Sequence, residues 1–233
     1  MTTTPTRLDH LVVAATSLNE GVAWCEATLG VTPGPGGEHP LMGTHNRLLA
    51  LEMPGGQRAY LEIIAINPAA RPTRSPPLKR WFDLDAPALQ RHLAEQGPSL
   101  IHWVASEPDI VAGCEALASL GIDRGHVLKA SRATPGGLLE WQISVRDDGQ
   151  RLMNGCLPTL IQWGEVHPAP DMADSGLVLQ SLQMTVPDAP LLEAALQAVG
   201  ARALATSVAE GAPALNVTLN TPRGTVVLGS GGV

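Results

Sequence analysis

The chain has 233 residues, of which 44% are hydrophobic and 16% charged, so it can bury a sizeable core. Its formal net charge of −7 disfavours a nucleic-acid partner, which would need clustered Lys and Arg, and no run of about 18 apolar residues is present to span a membrane. The three cysteines lie far apart and the N-terminus lacks a signal-peptide pattern, so we expect reduced thiols and a cytoplasmic protein.

The first predicted unit, residues 1–66, has the order strand, helix and three strands. An apolar run at residues 8–15 carries His10 and predicts the first strand. Ser17 and Glu20 form a capping box, in which each side chain satisfies a free backbone amide, and this predicts the start of a helix. Further strands are predicted at residues 31–36, 46–53 and 59–66.

A second unit, residues 99–166, repeats this order. His10 and the glycine that ends its helix, Gly30, are 20 residues apart, and His102 and Gly121 are 19 residues apart. We therefore interpret the two units as an internal duplication. The strands are predicted at residues 100–105, 127–133, 138–145 and 159–163, and a turn is predicted at residues 134–137.

A third unit of the same order is predicted at residues 177–233. The position that matches His10 is Ser181 or Gln183, so we expect this unit to hold no metal. Proline-rich segments at residues 67–98, with a short helix, and 167–176 are predicted as linkers. The strands of the third unit are predicted at residues 179–186, 201–206, 214–219 and 225–228, and its helix at residues 188–200.

Glu62 is an ionisable residue within an otherwise apolar predicted strand. Strand alternation puts Tyr60, Glu62 and Ile64 on one face, and a carboxylate that faces a concave sheet is costly unless it is paired or bound to a cation. An imidazole and a carboxylate together suit Zn, Fe, Mn, Ni or Co. From the residues alone, His10 and Glu62 could bind a divalent metal, or could pair with each other or with an arginine.

Three sequence strings carry a resemblance to a known family: LDHLV at residues 8–12, GTHN at residues 43–46 and YLEII at residues 60–64. Together with the repeated order of elements, they resemble the vicinal-oxygen-chelate superfamily and its glyoxalase-like branch over residues 8–165. The resemblance implies an α+β fold of repeated βαβββ units. Two units form a cup, their first and fourth strands supply metal ligands, and the third unit has none.

The resemblance also implies a ligand set for a divalent metal. His10 and Glu62 match the ligands of the first unit, and His102 is the equivalent histidine of the second unit. The fourth ligand stays open at this point. Gln162 aligns with Glu62, whereas Glu140 is the better ligand chemically but lies on the predicted third strand. A cup that binds no metal is the alternative.

Candidate catalytic residues follow from the same match. Glu62 or Glu140 could act as the base of a glyoxalase-type reaction. His45, in the GTHN string, could be a general acid or base, or could only bond to the backbone. The histidines at positions 92, 126 and 167 are expected on the surface.

Two functions are consistent with these residues. The first is a metal-dependent lyase, isomerase or dioxygenase that acts on a small oxygen-bearing metabolite. The second is a non-catalytic protein that binds or sequesters a small molecule, as bleomycin-resistance proteins do. Neither function involves nucleic acid or a membrane.

The third unit predicts a further partner. Its apolar sheet face needs a cover, and the first two units can satisfy each other, so we expect a second copy of the chain and a two-fold homodimer. The alternative is a monomer in which the third unit covers the back of the first two.

Overall fold

One curled sheet organises the computed structural model, which describes residues 5–134 and 137–232. Within these residues the sheet has twelve strands in the order β12-β11-β9-β3-β4-β1-β5-β8-β7-β6, with β2 paired to β3 and β10 to β9. The repeated βαβββ fold predicted from the sequence is confirmed. The turn predicted at residues 134–137 includes residues 135 and 136, which lie outside the described residues.

The first unit begins as its capping pattern predicts. Ser17 precedes the first helix, and its side chain accepts a hydrogen bond from the amide of Glu20. Instead of the strand predicted at residues 31–36, a two-residue strand follows later, because the glycines and prolines of that segment weaken strand pairing. The elements of this unit are β1 (Arg7–Ala14), α1 (Leu18–Thr28), β2 (Glu38–His39), β3 (Thr44–Glu52) and β4 (Arg58–Ile66).

The second unit is joined to the first through its first strand. β1 pairs parallel with β4, β5 pairs parallel with β8, and β1 and β5 pair antiparallel with each other, so the two units form one surface. The elements, with the helix of the preceding linker, are α2 (Pro87–Gln96), β5 (Ser99–Ser106), α3 (Ile110–Ala118), β6 (His126–Thr134), β7 (Gly137–Val145) and β8 (Thr159–Trp163).

The third unit has the predicted element order but a different strand pairing. Its first strand pairs with its second and third strands, whereas in the other units the first strand pairs with the fourth. The strand predicted at residues 201–206 is wrong, because a single 3₁₀ turn, Arg202–Leu204, intervenes before the chain becomes extended. The elements are β9 (Val178–Val186), α4 (Ala189–Ala198), β10 (Ser207–Glu210), β11 (Ala214–Thr221) and β12 (Gly224–Gly229).

Two apolar layers cover the two faces of the sheet. The face that carries His10 and Glu62, which we call the cup face, packs against α2 and the loop before it through Trp81, Leu89 and Leu93. The opposite face packs against the other helices. None of the described helices is long and apolar enough to cross a membrane.

The third unit packs on the back of the first two. One buried cluster contains Leu11 of β1, Trp103 of β5 and Leu192 of α4, and β11 and β12 contact β5. The hydroxyl of Thr6 also donates to the carbonyl of Val199 at 2.8 Å. The apolar face that motivated the homodimer is therefore covered within the chain. The homodimer and the domain boundaries given above stay predictions.

Leu192 tests whether the three units share one core. It is fully buried, so Leu192→Ala should lower the free energy of unfolding by about 2–5 kcal/mol. Because the cluster spans all units, urea unfolding should remain a single transition. Val227→Ala is the control, since Val227 is 64% exposed and its truncation should change little. Two separate transitions, of which only one shifts, would show that the third unit folds independently.

Candidate functional site

A small cavity on the cup face brings together side chains from strands of both the first and the second unit. We call it the inner cavity, and its volume is about 40 Å³. A space of this size holds a water molecule or a group of similar size. The side chains that bear on its chemistry are His10, His39, Glu62, Trp81, Arg132 and Trp163.

A β-bulge in β1 aims two consecutive side chains at this face. In the pairing of β1 with β5, Leu8 lies opposite Ala105 and His10 lies opposite Val104, so Asp9 is an extra residue. A regular strand would turn Asp9 and His10 to opposite faces, but a bulge re-aims one of them. Asp9 therefore contacts the His10 side chain on the cup face.

The Asp9 carboxylate is buried and accepts hydrogen bonds from three N–H donors of the described residues. The donors are Nδ1 of His10 at 2.7 Å, Nε1 of Trp163 at 2.8 Å and Nε2 of His167 at 3.1 Å. Burial raises the pKa of Asp9, but the hydrogen bonds from His10 and His167 outweigh it and hold this pKa well below its usual value. Asp9 is thus an ionised anchor for both imidazoles. His167 is half-buried here, not on the surface as expected.

His10 and Glu62 both line the inner cavity and face each other. Because Asp9 fixes Nδ1 of His10 as the donor, Nε2 points to Oε2 of Glu62 at 3.6 Å. Asn46 donates to the other carboxylate oxygen, Oε1, at 2.6 Å. The His10 ring also stacks on Tyr60, with ring centroids 4.5 Å apart. The structure thus places these two candidate residues side by side on one sheet face.

His39 is a site residue that the sequence analysis missed. The pairing of β2 with β3 buries it, with Nδ1 at 3.0 Å from the Thr44 hydroxyl and Nε2 at 3.4 Å from the Asn46 amide nitrogen. Burial, followed by the positive charge of Arg132, lowers the pKa of His39 to about 3. The ring is therefore neutral. No periodic pattern surrounds it in sequence, so nothing local predicts its burial.

Two residues that line the inner cavity have buried N–H donors without a hydrogen-bond partner among the described residues. The donor atoms are Nε1 of Trp81 and both Nε and Nη1 of Arg132. A buried donor that lacks an acceptor costs about 1–3 kcal/mol. These N–H groups suit a ligand that brings acceptor oxygens, and the Arg132 charge favours an anionic one.

His102 does not join His10 at the inner cavity. Its Nδ1 lies 3.0 Å from the Gly155 carbonyl, and its Nε2 accepts the backbone N–H of Thr159 at 3.1 Å. Burial, followed by the charges of Arg124 and Arg151, lowers the pKa of His102 well below its usual value. With Nδ1 as the donor and Nε2 as an acceptor, this neutral ring has no free lone pair for a metal.

The two candidates for the fourth ligand also lie elsewhere. Oε1 of Gln162 accepts the amide of Ile110, at 3.0 Å, so it faces α3 on the opposite side of the sheet. Glu140 is exposed, and its neighbour Trp141 is the residue that lines the cavity. Strand alternation thus turns both predicted side chains away from the cup face.

His45 alternates with Asn46 on β3, so its ring faces away from the cavity that Asn46 reaches.

The described residues contain no group of three or more His, Cys, Asp or Glu side chains that could hold a metal ion. Of the six candidate residues, the structure brings only His10 and Glu62 together. The donors present do not fit the predicted four-ligand set.

A larger cavity adjoins the inner one. We call it the outer cavity, and its volume is about 530 Å³. Its walls come from residues 31–36, β3, β7 and the segment 166–175. Leu48, Arg132 and Pro168 line both cavities, so Arg132 lies at their junction.

Comparison with known proteins gives a family and a set of structural relatives. A family model described as a glyoxalase-like domain matches residues 8–200. Among curated proteins, no significant match is found. A hypothetical protein from Staphylococcus aureus is similar in structure, with a TM-score of 0.56 and 14% identity over 83% of this chain and 75% of that one. At this identity the likeness shows the fold alone.

Two further solved structures are methylmalonyl-CoA epimerases. The Streptomyces coelicolor enzyme, as a point variant in complex with 2-nitronate-propionyl-CoA, has a TM-score of 0.43 and 20% identity over 71% of this chain and 99% of its own. The Mycobacterium tuberculosis enzyme has a TM-score of 0.35 and 17% identity over 67% and 85%.

The neutral state of His39 predicts how stability depends on pH. The pKa of His39 is about 3 in the folded chain and 6.5 for an ordinary histidine, as in the unfolded chain. At pH values between these two, the unfolded chain binds one more proton at this residue than the folded chain does. The free energy of unfolding should therefore fall as pH drops below 6.5, by up to about 1.4 kcal/mol per pH unit from this residue. His39→Gln cannot bind that proton, so urea unfolding from about pH 7 to about pH 4 should show a shallower slope.

His126→Gln is the matched control, because the His126 side chain is 72% exposed. It should keep the slope of the parent chain. A parent-like slope in His39→Gln would contradict the neutral, buried state of His39.

Proposed function

The chain belongs to the glyoxalase-like domain family of the vicinal-oxygen-chelate superfamily, and from that premise we propose that it is a proton-transferring lyase or isomerase. Its substrate is a small carboxylate in which a carbonyl group lies next to an acidic C–H bond. The observation that carries the proposal is the buried pair of His10 and Glu62, 3.6 Å apart, with His10 fixed by the Asp9 carboxylate.

Glu62 is the proposed base. Its Oε1 is held by Asn46, and its Oε2 faces the cavity, so one oxygen is positioned while the other can accept a proton. Loss of the C–H proton to Glu62 leaves an electron pair that moves onto the neighbouring carbonyl oxygen. The N–H groups of Arg132 and Trp81 are donors suited both to that developing negative charge and to the carboxylate of the same substrate.

His10 is the proposed acid that returns the proton. Its Nε2 lies next to Glu62 and receives the proton from it, while Nδ1 stays bonded to Asp9. The negative charge of Asp9 stabilises the imidazolium that forms. Return of the proton to a different carbon, or to the other face of the same carbon, gives isomerisation. Loss of a leaving group from the enolate gives a lyase reaction.

The proposal contains no metal step. A divalent metal is frequent in the superfamily, but the described donors supply His10 and Glu62 at one point and not the four ligands expected. A dioxygenase would need two histidines and one carboxylate together, and both ring nitrogens of His102 are already engaged.

A second candidate function is a non-catalytic small-molecule binder. The observation that favours it is the aromatic lining of the inner cavity, where Trp81, Trp141 and Trp163 surround the polar pair. Aromatic walls with a few oriented polar groups are typical of binding sites as well as active sites. The two candidates differ in whether the protein exchanges a proton on a bound ligand.

Deuterium incorporation separates them. A series of 2-oxo carboxylates of increasing chain length is incubated with the protein in D₂O and followed by NMR. We expect exchange at the carbon next to the carbonyl group, and Glu62→Gln should slow it by about 10²- to 10⁴-fold, because the base is lost. Circular dichroism checks that the variant is folded.

Glu140→Gln is the discriminating comparison, since sequence alone makes Glu140 an equal candidate for the base. Its exposed position away from the cavity predicts exchange at the parent rate. Exchange that survives in Glu62→Gln would contradict the proposed base. Binding of the oxo acids without any exchange would favour the second candidate.

A further inference from the structure

The two cavities differ in size and in the character of their walls. The inner cavity, at His10 and Glu62, has about 40 Å³ and takes only a small group. The outer cavity has about 530 Å³, within the usual range of about 300–1,000 Å³ for small-molecule sites. Its lining includes the apolar side chains of Val31, Leu139 and Met172. A ligand whose reacting end lies at Glu62 has room for the rest of its body in the outer cavity.

The junction between the cavities is equipped for an anion. Arg132 lines both cavities, and its Nε and Nη1 atoms are buried without a partner among the described residues. Trp81 is only 6% exposed, and its Nε1 atom is also buried without a partner among the described residues. Trp81 lines the inner cavity only. Buried N–H donors without a partner, two of them on a cationic side chain, favour an anionic acceptor such as a carboxylate.

The segment that follows Pro168 adds negative charge to the wall of the outer cavity. Asp171 and Asp174 both line it and both are exposed. Two carboxylates there repel a second anionic group by Coulomb interaction, although solvent screens part of that repulsion. The charge pattern therefore favours a ligand with one acidic end and an uncharged body.

We propose that the outer cavity binds the uncharged apolar body of a monocarboxylate whose acidic head lies at Arg132 and Trp81. The ligand class is a medium-chain or aryl carboxylate rather than a phosphate-bearing ester or a dicarboxylate. This inference rests on the proposed function for the chemistry at Glu62, and it names the substrate class. The binding itself depends on the cavities and the unpartnered donors.

Calorimetric titration of the full chain with three probes tests the proposal. The probes are acetate, decanoate and decanedioate, each below its aggregation concentration. Each CH₂ group that enters the outer cavity should raise affinity by up to about fourfold. We expect decanoate to bind at least about 100-fold more tightly than acetate, and decanedioate about tenfold more weakly than decanoate because of the two aspartates.

Variants locate the two ends of the ligand. Ala173→Trp fills the outer cavity from an exposed position and should weaken decanoate at least about tenfold while sparing acetate. Ala198→Trp, at an exposed position on α4, is its control. Arg132→Met should weaken both monocarboxylates, and Arg91→Met, on an exposed part of α2, should weaken neither. If Ala173→Trp does not fold, Ala173→Leu replaces it, with a smaller loss expected.

The variant Glu62→Gln tests the binding proposal separately from the proposed function. It should retain the preference for decanoate over acetate even where proton exchange is lost, because Glu62 is not needed for binding the apolar body. An affinity independent of chain length, or decanoate binding that Ala173→Trp leaves unchanged, would overturn the inference. Tight decanoate binding without exchange on any oxo acid would overturn only the proposed function.

Discussion

The buried Asp9 carboxylate is the interaction on which the arrangement of the site depends. An isolated buried carboxylate would be strongly unfavourable, and here three N–H donors satisfy it. The donors come from β1, from the end of β8 and from the segment after β8, so one anion ties together three parts of the chain. His10 is thereby oriented toward Glu62. His167 and the segment that contains it are held as a wall of the outer cavity.

The internal duplication did not produce two equivalent histidines. His10 and His102 occupy matching places in the repeat and lie on paired strands, yet the groups that contact their ring nitrogens differ. His10 meets an ionised carboxylate and keeps one ring nitrogen toward Glu62. Both ring nitrogens of His102 are instead engaged, by Gly155 before β8 and by Thr159 at the start of β8. One unit thus contributes the pair of His10 and Glu62 that we propose to be reactive. The other contributes walls and a neutral histidine that serves packing.

The sequence predicts most of the fold because the capping residues, closing glycines and strand periodicities act locally. It also predicts that Glu62 and His10 share a face, since a carboxylate in an apolar strand needs a partner. It does not predict Asp9, because alternation places that residue on the other face and only the bulge corrects this. Alignment with Glu62 favours Gln162 and chemical type favours Glu140, but strand register decides the face on which each side chain lies. The pairing of the third unit, likewise, is set by packing between distant segments.

The central claim is that Glu62 acts together with His10 and not with His102. ¹⁵N NMR of the histidine ring nitrogens, recorded for the parent chain and for Glu62→Gln, tests it directly. Loss of the Glu62 charge should change the Nε2 signal of His10, 3.6 Å away, and leave both ring nitrogens of His102 as they are. A change at His102 as large as that at His10 would place all three side chains at one point and contradict the account.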